Sequence, residues 1–313
     1  VIKINNKVGG RYTLWKYKKG EEPKKVAEFD NLITDWGLKI IGQHRSPASN
    51  TQSGWKNNIG IGSNATAPHV SDMGLKTELR RQEFDVATTG GKFIDDVNEI
   101  YYVYSIYQTT FAPTGSAYIV REIGQGLNTG TNTGIVSRTI TRDLGGDPVD
   151  IEVLGDEYLR VTYDLRLYRP YNDQIYTFNP DGDDTTQRTV TVRATNRSGL
   201  NQFASPTAAS YGNSATKYAY VDPYNGALGD IDSTRPQGSN LGWKQSLIVT
   251  PTAGTAKIQI RATASEMNGS IRSLSFPSGN QQYAITQVEF DPPFIKNNEQ
   301  VFNLDIIVTY ERV

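Results

Sequence analysis

"NNIGIGSNATAP", residues 57–68, carries the pattern G-x-G-x-x-A at Gly60, Gly62 and Ala65. A dinucleotide cradle built on it needs a buried strand, the glycine turn, and directly a helix whose N-terminal N–H groups face a pyrophosphate. A β-protein needs only two glycines in a strand that runs into a turn. Here Pro68 follows Ala65 closely, "ATAPHVSD" reads as loop, and "NNIGI" is too short and polar for a buried parallel strand. A helix N-cap appears only at Ser71, ahead of "DMGLKTELRR" with Leu75 and Leu79 at i and i+4. No alternation of β and α units follows. The glycines belong to a strand, and the chain is expected to be β.

The chain around this motif agrees. Its 313 residues include 29 Gly, 14 Pro and 18 Tyr, a mixture of turn formers and β-favouring side chains. "GGRYTLWKYKKGEEPKKVAEFDN" reads as a hairpin: Tyr12, Leu14 and Lys16 share one face, Thr13, Trp15 and Tyr17 the other, and Gly20 and Pro23 break the run. Eight of the first 25 residues are Lys or Arg, which suits a strand edge guarded against stray pairing, with contact to an acidic neighbouring subunit as the other reading. In "NLITDWGLKIIGQH" Thr34 caps a short helix, Trp36 and Ile40 fall at i and i+4, and Gly42 ends it.

From residue 82 the pattern is strand after strand. "NEIYYVYSIYQTTF" is apolar in both registers, as suits a strand covered on both faces, in a sandwich or at a subunit contact. Core packing explains its tyrosines better than a sugar-binding platform does. Leu159, Val161, Tyr163, Leu165 and Leu167 alternate with Arg160, Thr162, Asp164 and Arg166, giving a half-buried strand whose charged outer face is solvated. Phe302, Leu304, Ile306, Val308 and Tyr310 repeat that alternation. Between them, "QRTVTVRAT", "TKYAYVD", "KQSLIVTP", "AKIQIRATAS" and "QYAITQVEFDPP" read as strands. The expected fold is all-β with minor short helices, an antiparallel β-sandwich in two domains with long loops. The first domain covers 1–170, with helices near 34–42 and 71–80. The second covers 171–313, with a loop-rich insertion at about 196–245.

Chemistry is thinly supplied. There is no Cys, so disulfides, thiolate metal sites and cysteine nucleophiles are excluded. His44 and His69 are too far apart for a helical zinc pair, no G-x-S-x-G elbow occurs, and each reads as a loop side chain. "NPDGDDTTQ" lacks the residue order of a calcium loop and reads as a hairpin turn. The paired acids Asp95 and Asp96, or Asp183 and Asp184, are sequence neighbours, and neighbours in a strand face opposite ways. No catalytic, cofactor or metal site is assigned. A formal net charge of −1 gives no bulk attraction to nucleic acid or anionic lipid. No apolar run approaches the ~20 residues of a membrane span, and no charged-then-apolar leader opens the sequence.

Five stretches, in order, resemble a family of virion proteins of tailed bacteriophages, usually labelled tail or tail-fibre proteins. They are "FDNLITDWGLKIIG", "IGIGSNATAPHVSDMGLKTEL", "REIGQGLNTGTNTGIVSRTI", "GGDPVDIEVLGDEYLRVTYDLRLY" and "VEFDPPFIKNNEQVFNLDIIVTYER". The Asn31-Leu32-Ile33-Thr34 step, the Gly60–Pro68 turn and the Glu122-Ile123-Gly124 strand are the most telling, whereas residues 196–245 depart from the pattern. The resemblance implies a β-rich structural subunit of the virion, assembled in the host cytoplasm. Its partners would be copies of itself, as a trimer or ring, and other virion proteins, in a tail, collar or fibre. It transfers no active site. The alternative is a host-glycan receptor-binding module, for which Trp55, Tyr211, Tyr224 and Trp243 are loop aromatics. A depolymerase using paired carboxylates comes third.

Overall fold

A computed structural model describes residues 2–42, 58–126, 134–179, 187–195, 218–233, 235–242, 244–249, 254–277 and 284–313. The first elements are β1 (Ile2–Tyr17), β2 (Lys24–Asp30), β3 (Leu32–Ile33), α1 (Asp35–Gly42), β4 (Asn58–Gly62), β5 (Glu78–Glu83), β6 (Val86–Asp95) and β7 (Ile100–Phe111). Then come β8 (Tyr118–Val120), β9 (Glu122–Gln125), β10 (Ser137–Ile140), β11 (Ile151–Val153), β12 (Tyr158–Tyr168) and β13 (Gln174–Phe178). The chain closes with β14 (Arg188–Ala194), β15 (Tyr218–Tyr224), β16 (Lys244–Val249), β17 (Thr255–Ala262), β18 (Gly269–Pro277), β19 (Ala284–Lys296) and β20 (Phe302–Arg312). The fold is all-β and sandwich-like, and its one described helix is too short to cross a membrane.

The large sheet runs β13-β14-β19-β18-β15-β16-β17-β20-β1-β12-β7-β6, with β2 added beside β1. β1 is its hub. Along one edge it pairs antiparallel with β12 from Lys7 to Tyr17. Along the other, Ile2–Val8 pair in parallel with β20 and Arg11–Lys16 pair antiparallel with β2. The hydrogen-bonded ladder therefore crosses residue 170, where the sequence suggests a domain boundary. β15 turns the sheet's corner, since Tyr218–Val221 pair with β16 and Asp222–Tyr224 with β18. The far edge returns to the hub, where the Asn5 amide donates to the Tyr176 hydroxyl at 3.1 Å.

A smaller sheet, β3-β10-β9-β4-β5, packs on the face of β1, β12 and β7. Ile33, Ile59, Ile61 and Ile123 meet Tyr12, Leu14, Tyr107 and Tyr163 in one continuous core. Each such fully buried side chain contributes about 1.5–3 kcal/mol. Two polar links pin the layers: Tyr12 Oη lies 2.9 Å from Ser137 Oγ, and the Asn31 amide donates to Tyr163 Oη at 3.0 Å. Burial raises both phenols well above their ordinary values, so they stay neutral hydrogen-bonding groups. Tyr163 lies over Gly10, where a Cβ would meet the ring at 2.6 Å.

The short helix forms as the sequence predicts. Thr34 Oγ1 accepts the Gly37 N–H at 2.9 Å, the N-cap geometry. Gly37, unfavourable for helix propensity, is needed for packing, since a Cβ there would lie 2.2 Å from the Val136 carbonyl oxygen. The helix expected over 71–80 does not form: 78–83 is strand β5, and Leu79 is exposed. Within the expected insertion, β15 forms, and the described residues after it are tied together, with Asn225 N–H donating to the Ser239 carbonyl and Gln237 N–H to Ala227. β18 escapes a period-two reading because a bulge between Ile271 and Ser273 shifts its phase.

Ile306 is fully buried and lies between Ile2 of β1 and Ile258 of β17. Ile306→Ala is expected to cost about 3 kcal/mol in urea unfolding. Hydrogen exchange should show β12 and β17 losing protection together, because one ladder joins them. A loss confined to β17 and β20 would show instead that the two halves unfold independently.

Candidate functional site

The glycine motif at Gly60 and Gly62 ends in a clamp. β4 is fully buried between β5 and β9, and the chain leaves it at Gly62 to run as a loop from Ser63 to Thr77. Beneath that loop lies Arg138 of β10, with no exposed side-chain surface. Its Nε donates to Glu122 of β9 at 2.8 Å and one terminal nitrogen to Asp72 of the loop at 2.9 Å. The other terminal nitrogen donates to the Thr66 carbonyl at 2.9 Å. Glu122 in turn accepts the Lys76 and Thr77 N–H groups at 3.0 and 2.7 Å. These last bonds explain the missing helix. The 76 and 77 amides go to a carboxylate on another strand rather than to carbonyls one turn back.

Asp72 is held from three sides: by Arg138, by the His69 N–H at 2.8 Å and by Lys76 Nζ at 2.6 Å. Burial pushes its carboxyl up, but the Lys76 bond, the His69 N–H and the Arg138 charge outweigh that and hold it below the ordinary range. Gly62 is required because a Cβ would lie 2.6 Å from Glu122 Oε1 and 2.5 Å from the Thr77 carbonyl. A buried ion cluster adds little net stability over an apolar replacement, since desolvation offsets its Coulomb gain. What it supplies here is one loop shape, with Ala65, Thr66, Ala67, His69, Ser71 and Met73 displayed to solvent.

The second feature is the outward face of β6, β7 and β12. β7 alternates strictly: Tyr101, Val103, Tyr107 and Phe111 are buried, while Tyr102, Tyr104 and Ile106 stay half-exposed. Within one chain, then, the strand expected to be covered on both faces is covered on one. Phe93, Tyr102 and Tyr168 sit in register across three strands, with ring centroids 4.9 Å apart at each step. The Arg166 guanidinium lies 5.0 Å from the Tyr102 ring. Tyr104 leans across Gly91, where a Cβ would lie 2.5 Å from its ring. At the other end of the sheet Tyr17 and Tyr158 stack at 5.1 Å, with Arg160 over Tyr17.

The face is less solvated than the sequence suggests. Asp164 keeps 22 % of its side-chain surface exposed and pairs with Arg166 at 2.6 Å. Burial raises its carboxyl above the ordinary value despite that partner.

The other sequence candidates disperse. Asp95 closes the β6–β7 turn by accepting the Val97 and Asn98 N–H groups, and Asp96 accepts the Tyr171 hydroxyl at 2.6 Å, so the pair does not converge. His69 Nδ1 lies 2.8 Å from Ser71 Oγ within the clamped loop. Tyr224, expected in a loop, is buried in β15. His44, Trp55, Asp183, Asp184, Tyr211 and Trp243 lie outside the described residues. Among the described residues no three His, Asp or Glu side chains gather to hold a metal ion. No family model, curated protein or solved structure matches the chain.

Sequence reasoning missed the Arg138 cluster, although its parts lie in two of the stretches that carry the resemblance. Arg138→Ala leaves two buried carboxylates short of their cation and is expected to cost about 3–5 kcal/mol. Hydrogen exchange over 63–77 should rise sharply in that variant. Because the Asp72 carboxyl is lowered on folding, its contribution is complete above its unfolded pKa of about 3.9 and is lost as pH falls through the lower folded value. Loop protection should accordingly hold from neutral pH to about 4 and decline below it, a titration that exchange at graded pH reads directly. Asp72→Asn should flatten it.

Proposed function

We propose that the protein is a structural subunit of a tailed-bacteriophage virion, a tail, collar or fibre component that acts by assembly rather than catalysis. The observation that carries this reading is the outward face of β6, β7 and β12. Its rings stand in register, yet stay half-exposed in the single chain. Tyrosine and arginine are the side chains enriched at protein contacts, and a contiguous exposed aromatic patch marks an interaction surface. The clamped loop supports the same reading, since a long ordered loop presents a contact surface without an ordering cost on binding. The order of the five resembling stretches supports placement in the virion, among copies of the chain and other virion proteins.

A second reading rests on the same rings. Phe93, Tyr102 and Tyr168 beside Arg166 also suit a pyranose ring, which would make the face a host-glycan contact.

Antibody raised against the purified chain should decorate particles recovered from a phage lysate of the source culture, at one fixed position seen by electron microscopy. Label found only in the soluble fraction would sink the virion reading. Retention of the chain on host polysaccharide, abolished by Tyr102→Ala, would move the face to the second reading.

A further inference from the structure

The two ends of the large sheet differ in charge. At one end, the β6–β7 turn carries Asp95, Asp96 and Glu99, and no cation pairs with them among the described residues. Tyr171 and Asn172 dock on this turn through Asp96 and Glu99, and Asp173 beside them pairs with Arg193. Arg193 also donates to the Gly229 carbonyl, which brings in the loop that carries Asp230 and Asp232. Asp95, Asp96, Glu99, Asp173, Asp230 and Asp232 thus share this end, where Lys92 lies near Asp232 and Arg193 near Asp173 and Asp230, in a chain whose total is only −1. The same end exposes aliphatic surface: Val97 is 90 % exposed, Ile231 44 % and Ile94 36 %.

The opposite end is the β1–β2 hairpin. Lys16 and Lys24 face each other in register, Lys25 faces Trp15, and Arg160 faces Trp15 from the other side. Like charges set opposite each other repel. Lys16 and Lys18 are balanced by Glu157 and Asp156, whereas Lys19, Lys24 and Arg160 pair with no carboxylate among the described residues. Glu21 and Glu22 in the turn offset part of this charge. Trp15, Tyr17 and Tyr158 supply half-exposed aromatic surface beside it. Tyr102 pairs with Tyr168 near the first end and Phe111 with Leu159 near the second, about 30 Å apart at ~3.3 Å per residue.

We propose that copies of this chain join head to tail along the strand direction. The acidic, aliphatic β6–β7 end of one copy seats on the basic, aromatic β1–β2 hairpin of the next. The proposal deepens the assembled-subunit reading and rests on it. Two different patches in contact make a heterologous interface, which closes into a ring if the rotation per copy allows and otherwise extends as a filament. The unpaired cations of the hairpin and the unpaired carboxylates of the turn then neutralise each other, and raised salt weakens the contact.

The test is a charge swap read by light scattering coupled to size exclusion. One variant carries Asp96→Lys with Glu99→Lys and the other Lys19→Glu with Lys24→Glu; all four positions are exposed, and circular dichroism checks that each variant folds. The wild-type chain should run as a trimer or larger species. Each variant alone should associate at least about tenfold more weakly, since like charges then meet across the junction. An equimolar mixture should reassemble, because each altered end finds its complement on the other variant. Wild-type chain that stays monomeric at the highest concentration reached, variants that assemble as wild type does, or a mixture that stays dissociated would each overturn the proposal. Particle labelling together with any of these results would leave the virion reading standing and remove only this junction.

Discussion

β1 has to satisfy three partners at once, and the rest of the molecule is arranged around that constraint. Its sixteen residues give one edge to β12 and split the other between β20 and β2. The parallel pairing with β20 ties the chain's ends together and so requires most of the chain to be in place before the hub is complete. Long-range pairing of this kind carries a loop-closure cost that only the assembled core repays. The core does so on the inner face, where Ile2, Ile4, Tyr12 and Leu14 are all buried in one continuous cluster that also holds residues of the small sheet and of the C-terminal half. The outer face of the same strands is left to Trp15, Tyr17 and their neighbours, which stay half-exposed among the described residues.

The small sheet solves a different problem. Its outer face is floored by Gly62 and Gly124, positions where a side chain would strike Glu122 or Ile135. On that floor the loop from Ser63 to Thr77 is held by charge rather than by apolar packing. Arg138 reaches Asp72, Glu122 and the Thr66 carbonyl, and Glu122 reaches back to two loop amides. An apolar plug could fill the same volume with equal stability, but it would not dictate which amide and which carbonyl meet. Directional, charge-assisted bonds do. Loop shape is therefore specified by the geometry of one guanidinium fork.

The proposed role as an assembly subunit asks for a single-chain fold with surface left over. Here the leftover surface is structured: an aromatic face in register, a clamped loop, and two sheet ends of unlike charge. Each is held by the fold's own interactions, so binding need not first order it, and the entropy lost on association stays small.

What the sequence determined by itself follows from local periodicity. The runs Leu159–Leu167 and Phe302–Tyr310 read as half-buried strands because side chains alternate at a period of two whatever the partner strand is. Thr34 and Gly20 announced a helix cap and a hairpin turn through chemistry contained in a few neighbouring residues. The glycine motif at 60–62 read as strand because Pro68 and the loop-like residues directly after it could not open a helix there. Tertiary structure decided the rest. Nothing beside Arg138 in "VSRTI" marks it as buried, because its carboxylate partners lie 16 and 66 residues away. The same distant carboxylate, Glu122, took the amides that "DMGLKTELRR" needed for a helix. Tyr102 and Tyr101 look alike in sequence. Which of them is buried depends on the side from which the small sheet packs, and no local pattern carries that information.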